Sequence, residues 1–177
     1  MYERHPSCQT RKQRGLDLQQ FTVRAIGTIH SPHTNPKGTP IQPVGAKGIK
    51  GTVELFPEYV PGLKDLEGFS HIILLYYFHL AEDGPMIVTP YLEDKPKGIF
   101  SVRMPCRPNH IGLSVVRLNR IKDNILEIEN VDILNGTPLL DIKPYVTTFD
   151  IYQTEREGWL TPVSDDAQNK KCDGRFS

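Results

Sequence analysis

The stretch IILLYYF, residues 72–78, is the longest apolar run in the chain and decides the fold class. It is far too short for a membrane helix, which needs about 20 apolar residues. Its β-branched and aromatic side chains favour a strand over a helix. An uninterrupted apolar strand is typical of the centre of a sheet with both faces buried. We therefore predict that residues 72–78 form a central, fully buried strand.

Shorter strand patterns lie on both sides of this run. Apolar and polar residues alternate over 100–104 and 126–129, and residues 21–29 and 111–118 are rich in strand formers. The 14 glycines and 15 prolines interrupt nearly every window that a three-turn helix would need. Strands at this spacing predict a mainly β fold, a small antiparallel β-barrel with one or two short helices.

Length and composition predict one domain with polar ends. A chain of 177 residues is typical of a single domain. We expect residues 21–163 to form it, and residues 1–20 and 164–177 to be flexible tails, because both ends lack apolar spacing. The three cysteines are widely spaced and form no C-x-x-C pair, which favours a reducing compartment. With no apolar segment near the start, we expect a cytoplasmic protein.

Composition and missing motifs exclude several classes of protein. Basic and acidic residues number 21 each, which excludes a strongly basic nucleic-acid arm but not a basic face. The phosphate-loop, dinucleotide-binding, G-x-S-x-G and H-E-x-x-H motifs are missing. His30 and His33 flank Pro32 in a predicted loop, where a chance pair is the better explanation than a metal site. We therefore expect no metal and no Rossmann-type cofactor domain.

Charged residues beside turns mark the candidate binding segments. Arg103 projects opposite an apolar alternation, and Arg107 adjoins a Pro-Asn turn where a guanidinium suits phosphate or carboxylate. Asp132 is a candidate acceptor of hydrogen bonds from a ribose or an amine. Structural alternatives stay open: the turn at Asn135 is commonly only a hairpin, and Arg103 and Asp141 could form an ion pair.

Four motifs in these segments, in order, resemble one known family. They are Ile26-Gly27-x-Ile29-x-Ser31-Pro32, Gly62-Leu63-x-x-Leu66-Glu67-Gly68-Phe69-Ser70-His71, Arg107-Pro108-Asn109-x-Ile111-Gly112-Leu113-Ser114 and Gly136-Thr137-Pro138-x-Leu140-Asp141-Ile142-Lys143-Pro144-Tyr145. Together they cover about residues 22–146. The chain thereby resembles the TsaA-like (YaeB-like or TrmO) proteins, whose bacterial members include tRNA N6-threonylcarbamoyladenosine methyltransferases.

The resemblance implies a fold, a cofactor and a reaction. It implies a small β-barrel of the non-Rossmann methyltransferase type, a homodimer, and S-adenosylmethionine as the cofactor. It also implies methyl transfer to N6 of threonylcarbamoyladenosine at position 37, in the anticodon loop of tRNA. Carried over by motif, the cofactor contacts are Gln42, Pro43, Val44, His79, Leu80, Arg103, Leu113, Asp132, Ile133, Leu134 and Asn135.

The reaction implied by the resemblance suggests roles for further residues. Methyl transfer from a sulfonium needs an aligned nucleophile, and the acylated N6 keeps a proton that a base would help to remove. We predict Asp141 and Tyr145 as the catalytic residues, with a buried structural pair as the alternative. Contacts to substrate or tRNA are predicted for Arg107, Asn109 and Lys143. A basic rim for tRNA would comprise Lys37, Lys47, Lys50, Arg107, Arg117 and Lys143.

Two other functions are compatible with the sequence. The barrel could bind S-adenosylmethionine or a nucleoside without turnover. His110 and Asn135 support that alternative, because family members often carry Pro and Asp at these positions. The chain could also methylate a substrate other than tRNA. Methyl incorporation into tRNA separates the tRNA methyltransferase from the binding module, and a panel of candidate acceptors tests for a methylase of another substrate.

Overall fold

A closed antiparallel barrel of six strands forms the body of the computed structural model, which describes residues 21–173. The described residues contain eight strands in all, six in the barrel and two beside it: β1 (Gly27–His30), β2 (Lys50–Leu55), β3 (His71–Tyr77), β4 (Ile87–Val88), β5 (Lys97–Gly98), β6 (Ile111–Lys122), β7 (Ile125–Glu129) and β8 (Thr137–Pro144). Around the barrel they run β1-β2-β7-β6-β3-β8, and β4 pairs with β5 in a separate small sheet. The predicted mainly β barrel is confirmed.

β3 forms at the apolar run and is central, since it pairs with β6 on one side and β8 on the other. Ile72, Leu74 and Tyr76 are buried in the barrel. Ile73 and Leu75 alternate with them and are only half-buried. The prediction that both faces are buried was therefore wrong, because no layer of helices covers the outer face as it would in a parallel sheet.

Helical structure is sparse in residues 21–173. α1 (Thr147–Asp150) is accompanied by six short 3-10 turns, at Pro43–Ala46, Pro57–Leu63, Leu66–Gly68, Ile99–Ser101, Gly158–Leu160 and Ser164–Gln168. In the described part of the chain, no helix has the length and apolar character needed to cross a membrane.

The alternation over residues 100–104 does not form the predicted strand. Ile99–Ser101 is a 3-10 turn, and the chain after it is irregular. Val102 and Met104 are buried with Val88 in a second apolar cluster beside the barrel. Burial on one side thus produces the period-two pattern here without strand pairing, and the prediction is corrected.

The barrel interior is filled by side chains from every strand. Aliphatic residues with almost no exposed surface come from all six strands: Ile29, Val53, Leu74, Val116, Leu126 and Leu139. A small barrel packed in this way has no room for a ligand along its axis. Any small-molecule site must therefore lie at an end or an opening of the barrel.

Residues 158–173, which we call the C-terminal segment, lie against the body. Cys172 N–H donates to the carbonyl of Thr39 (2.9 Å), and Gly38 N–H donates to the carbonyl of Cys172 (2.8 Å). Cys172, within residues 164–177 that were predicted to be a flexible tail, is thus hydrogen-bonded to the loop after β1, and the tail itself stays a prediction. Residues 1–20 and 174–177 of the predicted tails lie outside the described residues, and the domain bounds 21–163 stay a prediction.

The same segment also contacts the layer formed by β4, β5 and the turn Ile99–Ser101. Trp159 Nε1 donates to the carbonyl of Ser101 (2.8 Å), and the Lys97 ammonium lies 5.8 Å from the Trp159 ring centroid. The C-terminal segment therefore joins two parts of the molecule that are distant in sequence, the loop after β1 and the layer around residue 100.

Candidate active site

A cavity of about 510 Å³ lies where β6 lacks a strand partner on one side. β7 pairs with β6 only from Arg117 onward, so residues 111–116 pair with β3 alone. The chain after β7 runs beside this gap, where Asp132 accepts a hydrogen bond from the Ser114 hydroxyl (2.7 Å). The volume is typical of small-molecule sites. The gap thus leaves room for a ligand beside β6.

Most of the predicted cofactor contacts line this cavity. They are Gln42, His79, Leu80, Arg103, Leu113, Asp132, Ile133 and Leu134. The structure thereby brings together residues from five separate parts of the sequence, although their contact with a cofactor stays a prediction. The other walls come from the layer around residue 100, from the loop after β1 and from Cys172 of the C-terminal segment.

Three predicted contacts, Pro43, Val44 and Asn135, do not line the cavity. Val44 lies in an exposed 3-10 turn. The Asn135 side-chain oxygen accepts a hydrogen bond from Ser31 N–H (3.2 Å), and the backbone N–H of Asn135 donates to the carbonyl of His33 (2.8 Å). Asn135 thus fastens the turn before β8 to the loop after β1.

Arg103 and Gln42 form a polar pair between two walls of the cavity. The Arg103 guanidinium donates to the Gln42 side-chain oxygen (3.3 Å). The suggested ion pair between Arg103 and Asp141 does not form, because Asp141 binds Lys143 instead (2.7 Å). The positive charge of Arg103 therefore lies at the cavity, where it suits a carboxylate of a ligand.

Asp132 is a cavity residue whose ionisation is perturbed by its surroundings. Burial raises the pKa of its carboxyl from 3.8 to about 6, although the Ser114 hydrogen bond opposes the shift. Behind Ser114, the Tyr76 hydroxyl lies 3.0 Å from the Ser114 oxygen. Burial and the nearby Asp132 charge raise the pKa of Tyr76, so its hydroxyl stays protonated. The three side chains form one hydrogen-bonded chain from the core to the cavity.

The structure places the predicted catalytic residues outside the cavity. On β8, Asp141 pairs with Leu75, whose side chain does not point into the barrel, because a β-bulge shifts the register beside Tyr76. The Asp141 carboxylate is 43% exposed and bound to Lys143. Tyr145 stacks edge-on against His71, 6.3 Å between centroids. Asp141, Tyr145 and Lys143 therefore do not line the cavity formed by the predicted cofactor contacts, and their roles stay a prediction.

Arg107 lines the cavity but uses its donors within the protein. Its Nη1 donates to the carbonyls of Val102 (2.7 Å) and Ile99 (3.2 Å), and its guanidinium lies 5.8 Å from the Phe100 ring centroid. Asn109, the other predicted substrate contact near this turn, lines a separate cavity of about 460 Å³ with Tyr77. The Pro-Asn turn thus does not direct both side chains to one ligand.

Sequence reasoning missed Tyr76 and Ser114. Tyr76 lies inside the apolar run, where it was interpreted only as a strand former. Ser114 is almost fully buried at an inward-facing position of β6, between Gly112 and Val116. A polar residue at an inward position of a strand was the available signal, since a buried hydroxyl needs a partner. In residues 21–173, no group of three potential metal ligands is found.

Asp132→Asn should stabilise the unliganded protein at neutral pH. A carboxyl whose pKa is raised by folding contributes its full stabilisation to the folded protein below pH 4, where it is protonated. That contribution to the free energy of unfolding is lost as the pH rises through 6. At pH 7.5 the ionised Asp132 therefore costs on the order of 3 kcal/mol, which the neutral amide avoids. Urea unfolding at pH 7.5 and pH 4 should show a gain that shrinks at the lower pH. Asp141→Asn, at an exposed carboxylate, is the control, and an equal gain at both pH values would contradict the assignment.

Comparisons with known proteins agree with this architecture. The family described as the tRNA-methyltransferase O N-terminal domain matches residues 28–151. A probable S-adenosyl-L-methionine-binding protein of Pyrococcus abyssi is 55% identical over 153 residues, which are 86% of this chain and 83% of that protein. The tRNA (adenine(37)-N6)-methyltransferase of Escherichia coli is 35% identical over 139 residues, 73% of this chain and 59% of that protein.

A solved structure shares the fold as well as the sequence. The crystal structure of TrmO from Pseudomonas aeruginosa superposes with a TM-score of 0.67 at 38% identity, over 79% of this chain and 62% of that one. The chain thus spans about three fifths of the length of these two bacterial proteins. The C-terminal segment lies beyond the residues that the family matches.

Proposed function

Since this chain belongs to the family of the tRNA-methyltransferase O N-terminal domain, we propose that it is an S-adenosylmethionine-dependent methyltransferase that acts on tRNA. The observation that carries the proposal is the cavity beside β6, which combines a buried carboxylate, a guanidinium and apolar walls. Relatives named for S-adenosylmethionine binding and for tRNA methylation support both parts of it.

The residues present fit S-adenosylmethionine. The Asp132 carboxylate suits the positive charge of a sulfonium beside the transferred methyl group, and Arg103 suits the carboxylate of the amino-acid end. Leu113 and Leu134 offer apolar surface to an adenine ring. When bound, the cofactor supplies an electrophilic methyl group on a sulfonium. The cavity residues would hold the acceptor nitrogen in line with that methyl and exclude water.

For the acceptor, we propose N6 of threonylcarbamoyladenosine at position 37 of tRNA. The activity for which the Escherichia coli relative is named, methylation of adenine 37 at N6, supports this choice. A base in the anticodon loop is already unpaired, so it can enter a pocket at low cost. We also propose a homodimer, because Phe100 (76% exposed) and Leu113 (58% exposed) leave apolar surface open at the cavity.

Binding without turnover is the second candidate function. The observation that favours it is the position of Asp141 and Tyr145 outside the cavity, which leaves the reaction without the base predicted from the sequence. Under this alternative the cavity would take up S-adenosylmethionine with the same residues, and no methyl group would reach tRNA.

Saturating S-adenosylmethionine should raise the melting temperature by several degrees. A ligand at 100 times its Kd that binds only the native state adds about 2.7 kcal/mol, and each kcal/mol shifts Tm by roughly 2–4 °C in a chain of this size. Arg103→Gln should reduce the shift, whereas Arg117→Gln, outside the cavity, should not. Differential scanning fluorimetry measures both.

A methyl-incorporation assay then separates the two candidate functions. Labelled S-adenosylmethionine is offered with tRNA that carries threonylcarbamoyladenosine, and with the same tRNA lacking the threonylcarbamoyl group. Label in the first tRNA alone is the expected result. A thermal shift without label in either tRNA would favour the binding function, and no thermal shift would contradict the cofactor site.

A further inference from the structure

We propose that Asp132 is the proton acceptor for the methylated nitrogen, and that Ser114 and Tyr76 are positioning residues that hold its carboxylate. This inference rests on the proposed methyltransferase function and assigns a role within the same cavity. It replaces the pair Asp141 and Tyr145, which the structure places elsewhere.

The three side chains form a continuous path from the core to the cavity. The Tyr76 and Ser114 oxygens are 3.0 Å apart, and the Ser114 oxygen is 2.7 Å from Asp132 Oδ1. Tyr76 and Ser114 are 4% and 1% exposed, on the neighbouring strands β3 and β6. Because both are enclosed by the barrel, they can fix the carboxylate without themselves meeting solvent.

The hydrogen bonds can accommodate either protonation state of Asp132. An ionised carboxylate only accepts, so the single Ser114 hydrogen is directed to Asp132 and Tyr76 donates to Ser114. When Asp132 gains a proton on Oδ1, both bonds can reverse: Asp132 donates to Ser114, and Ser114 donates to Tyr76. Both contacts therefore persist when the carboxylate takes up a proton, as a proton acceptor requires.

Asp132 is also the only carboxylate among the described residues that line the cavity. The other charged or titratable side chains there are Tyr76, His79, Tyr91, Arg103, Arg107 and Cys172. The two guanidiniums cannot accept a proton. The Tyr91 hydroxyl and the Cys172 sulfur contact each other (3.0 Å), and the His79 ring nitrogen lies 3.4 Å from the Thr137 hydroxyl.

The step balances without a further reactant. The acceptor N6 forms a bond to the methyl carbon, the carbon–sulfur bond breaks, and its electron pair stays on sulfur. The N6–H bond breaks with its electron pair kept by nitrogen, and the proton passes to the Asp132 carboxylate. Loss of that proton to solvent restores the ionised acid for the next turnover.

The raised pKa of Asp132 suits this role. With a pKa of about 6, the carboxyl is ionised at neutral pH and accepts a proton more readily than an ordinary aspartate. The transfer rate should therefore fall as the pH drops below 6. The hydrogen bond from Ser114 lowers this pKa, so its removal should move the fall in rate to higher pH.

Single-turnover methylation of tRNA from pH 5 to 9, with the S-adenosylmethionine Kd measured by calorimetry, tests the inference on the full chain. Asp132→Asn should slow transfer at saturating cofactor by about 10²–10⁴-fold and abolish the fall below pH 6. Ser114→Ala and Tyr76→Phe should slow methyl transfer less than Asp132→Asn does. Ser114→Ala should also shift the decrease in the transfer rate to higher pH. A purely structural role would change stability without moving the pH profile.

Two controls and two opposite outcomes complete the test. Tyr77→Phe alters the neighbouring hydroxyl outside this path and should leave the profile unchanged. His79→Asn should keep the decrease in rate below pH 6, which separates Asp132 from the histidine that lines the same cavity. If Asp132→Asn raises the Kd but not the saturated rate, Asp132 is a cofactor contact and the inference is wrong. A wild-type chain that methylates no tRNA overturns the proposed function, and this inference with it.

Discussion

Gly112→Ala should destabilise the protein by about 3 kcal/mol or more, although it adds only one methyl group. A Cβ at this position would lie 2.2 Å from Cε2 and 2.4 Å from Cζ of the Tyr76 ring. The ring has little freedom to retreat, because its hydroxyl is bound to Ser114 and Phe78 packs edge-on at 5.3 Å. Overpacking of a core costs typically 1–3 kcal/mol, and contacts this short belong at or above the upper end.

Urea unfolding of matched glycine variants measures this effect. Gly98→Ala is the control, since a Cβ there would meet nothing within 4 Å. In a double-mutant cycle, Tyr76→Leu should remove much of the penalty of Gly112→Ala, because the aromatic ring is then gone. If Gly112→Ala is as mild as Gly98→Ala, the packing of Tyr76 over the glycine is wrong, and with it the path to Asp132.

Arg107→Met should weaken both the fold around the cavity and cofactor binding. The change leaves the carbonyls of Ile99 and Val102 without their charged donor, and hydrogen bonds to charged groups contribute roughly 1.5–3 kcal/mol each. Met retains the length of the aliphatic stem, so packing is largely kept. We expect a loss of about 3 kcal/mol in stability and at least a tenfold weaker Kd for S-adenosylmethionine.

The same variant tests the role that the sequence predicted for Arg107. If this guanidinium binds tRNA phosphate instead, Arg107→Met should raise KM for tRNA, and leave the cofactor Kd and the unfolding free energy unchanged. Arg117→Met is the matched control, an arginine of the predicted basic rim that lies outside the cavity. Calorimetry, urea unfolding and steady-state kinetics on the two variants decide between the roles.

The barrel was predictable because hydrophobic periodicity reports strands and their buried face. Residues 72–78 and 126–129 formed strands where the pattern placed them, as β3 and β7. The same signal failed at residues 100–104, where alternating burial accompanies a 3-10 turn. Periodicity records which side chains are covered, and it does not record whether a neighbouring strand supplies the hydrogen bonds.

The candidate site was predictable where residues of the motifs also line the cavity. It was not predictable where the register between two strands decides which face a residue occupies. Arg103 and Asp132 reach the cavity from separate segments, as expected for two of the residues grouped by resemblance. Asp141 does not, because a single bulge beside Tyr76 sets which face of β8 it occupies. The Ser114 hydroxyl was overlooked because only the packing of β3 against β6 shows that it meets Tyr76 and Asp132.

The docking of the C-terminal segment has a thermodynamic consequence for ligand binding. Cys172 holds the loop after β1, and Trp159 holds the layer around residue 100, before any ligand arrives. Ordering a mobile side chain on binding costs about 0.5–1.5 kcal/mol of binding free energy. Because the cavity walls are already ordered, a ligand binds without this loss. The conformational entropy is lost when the chain folds, and the cavity is preorganised. We therefore expect part of the affinity for a small molecule to come from residues beyond the region that the family matches.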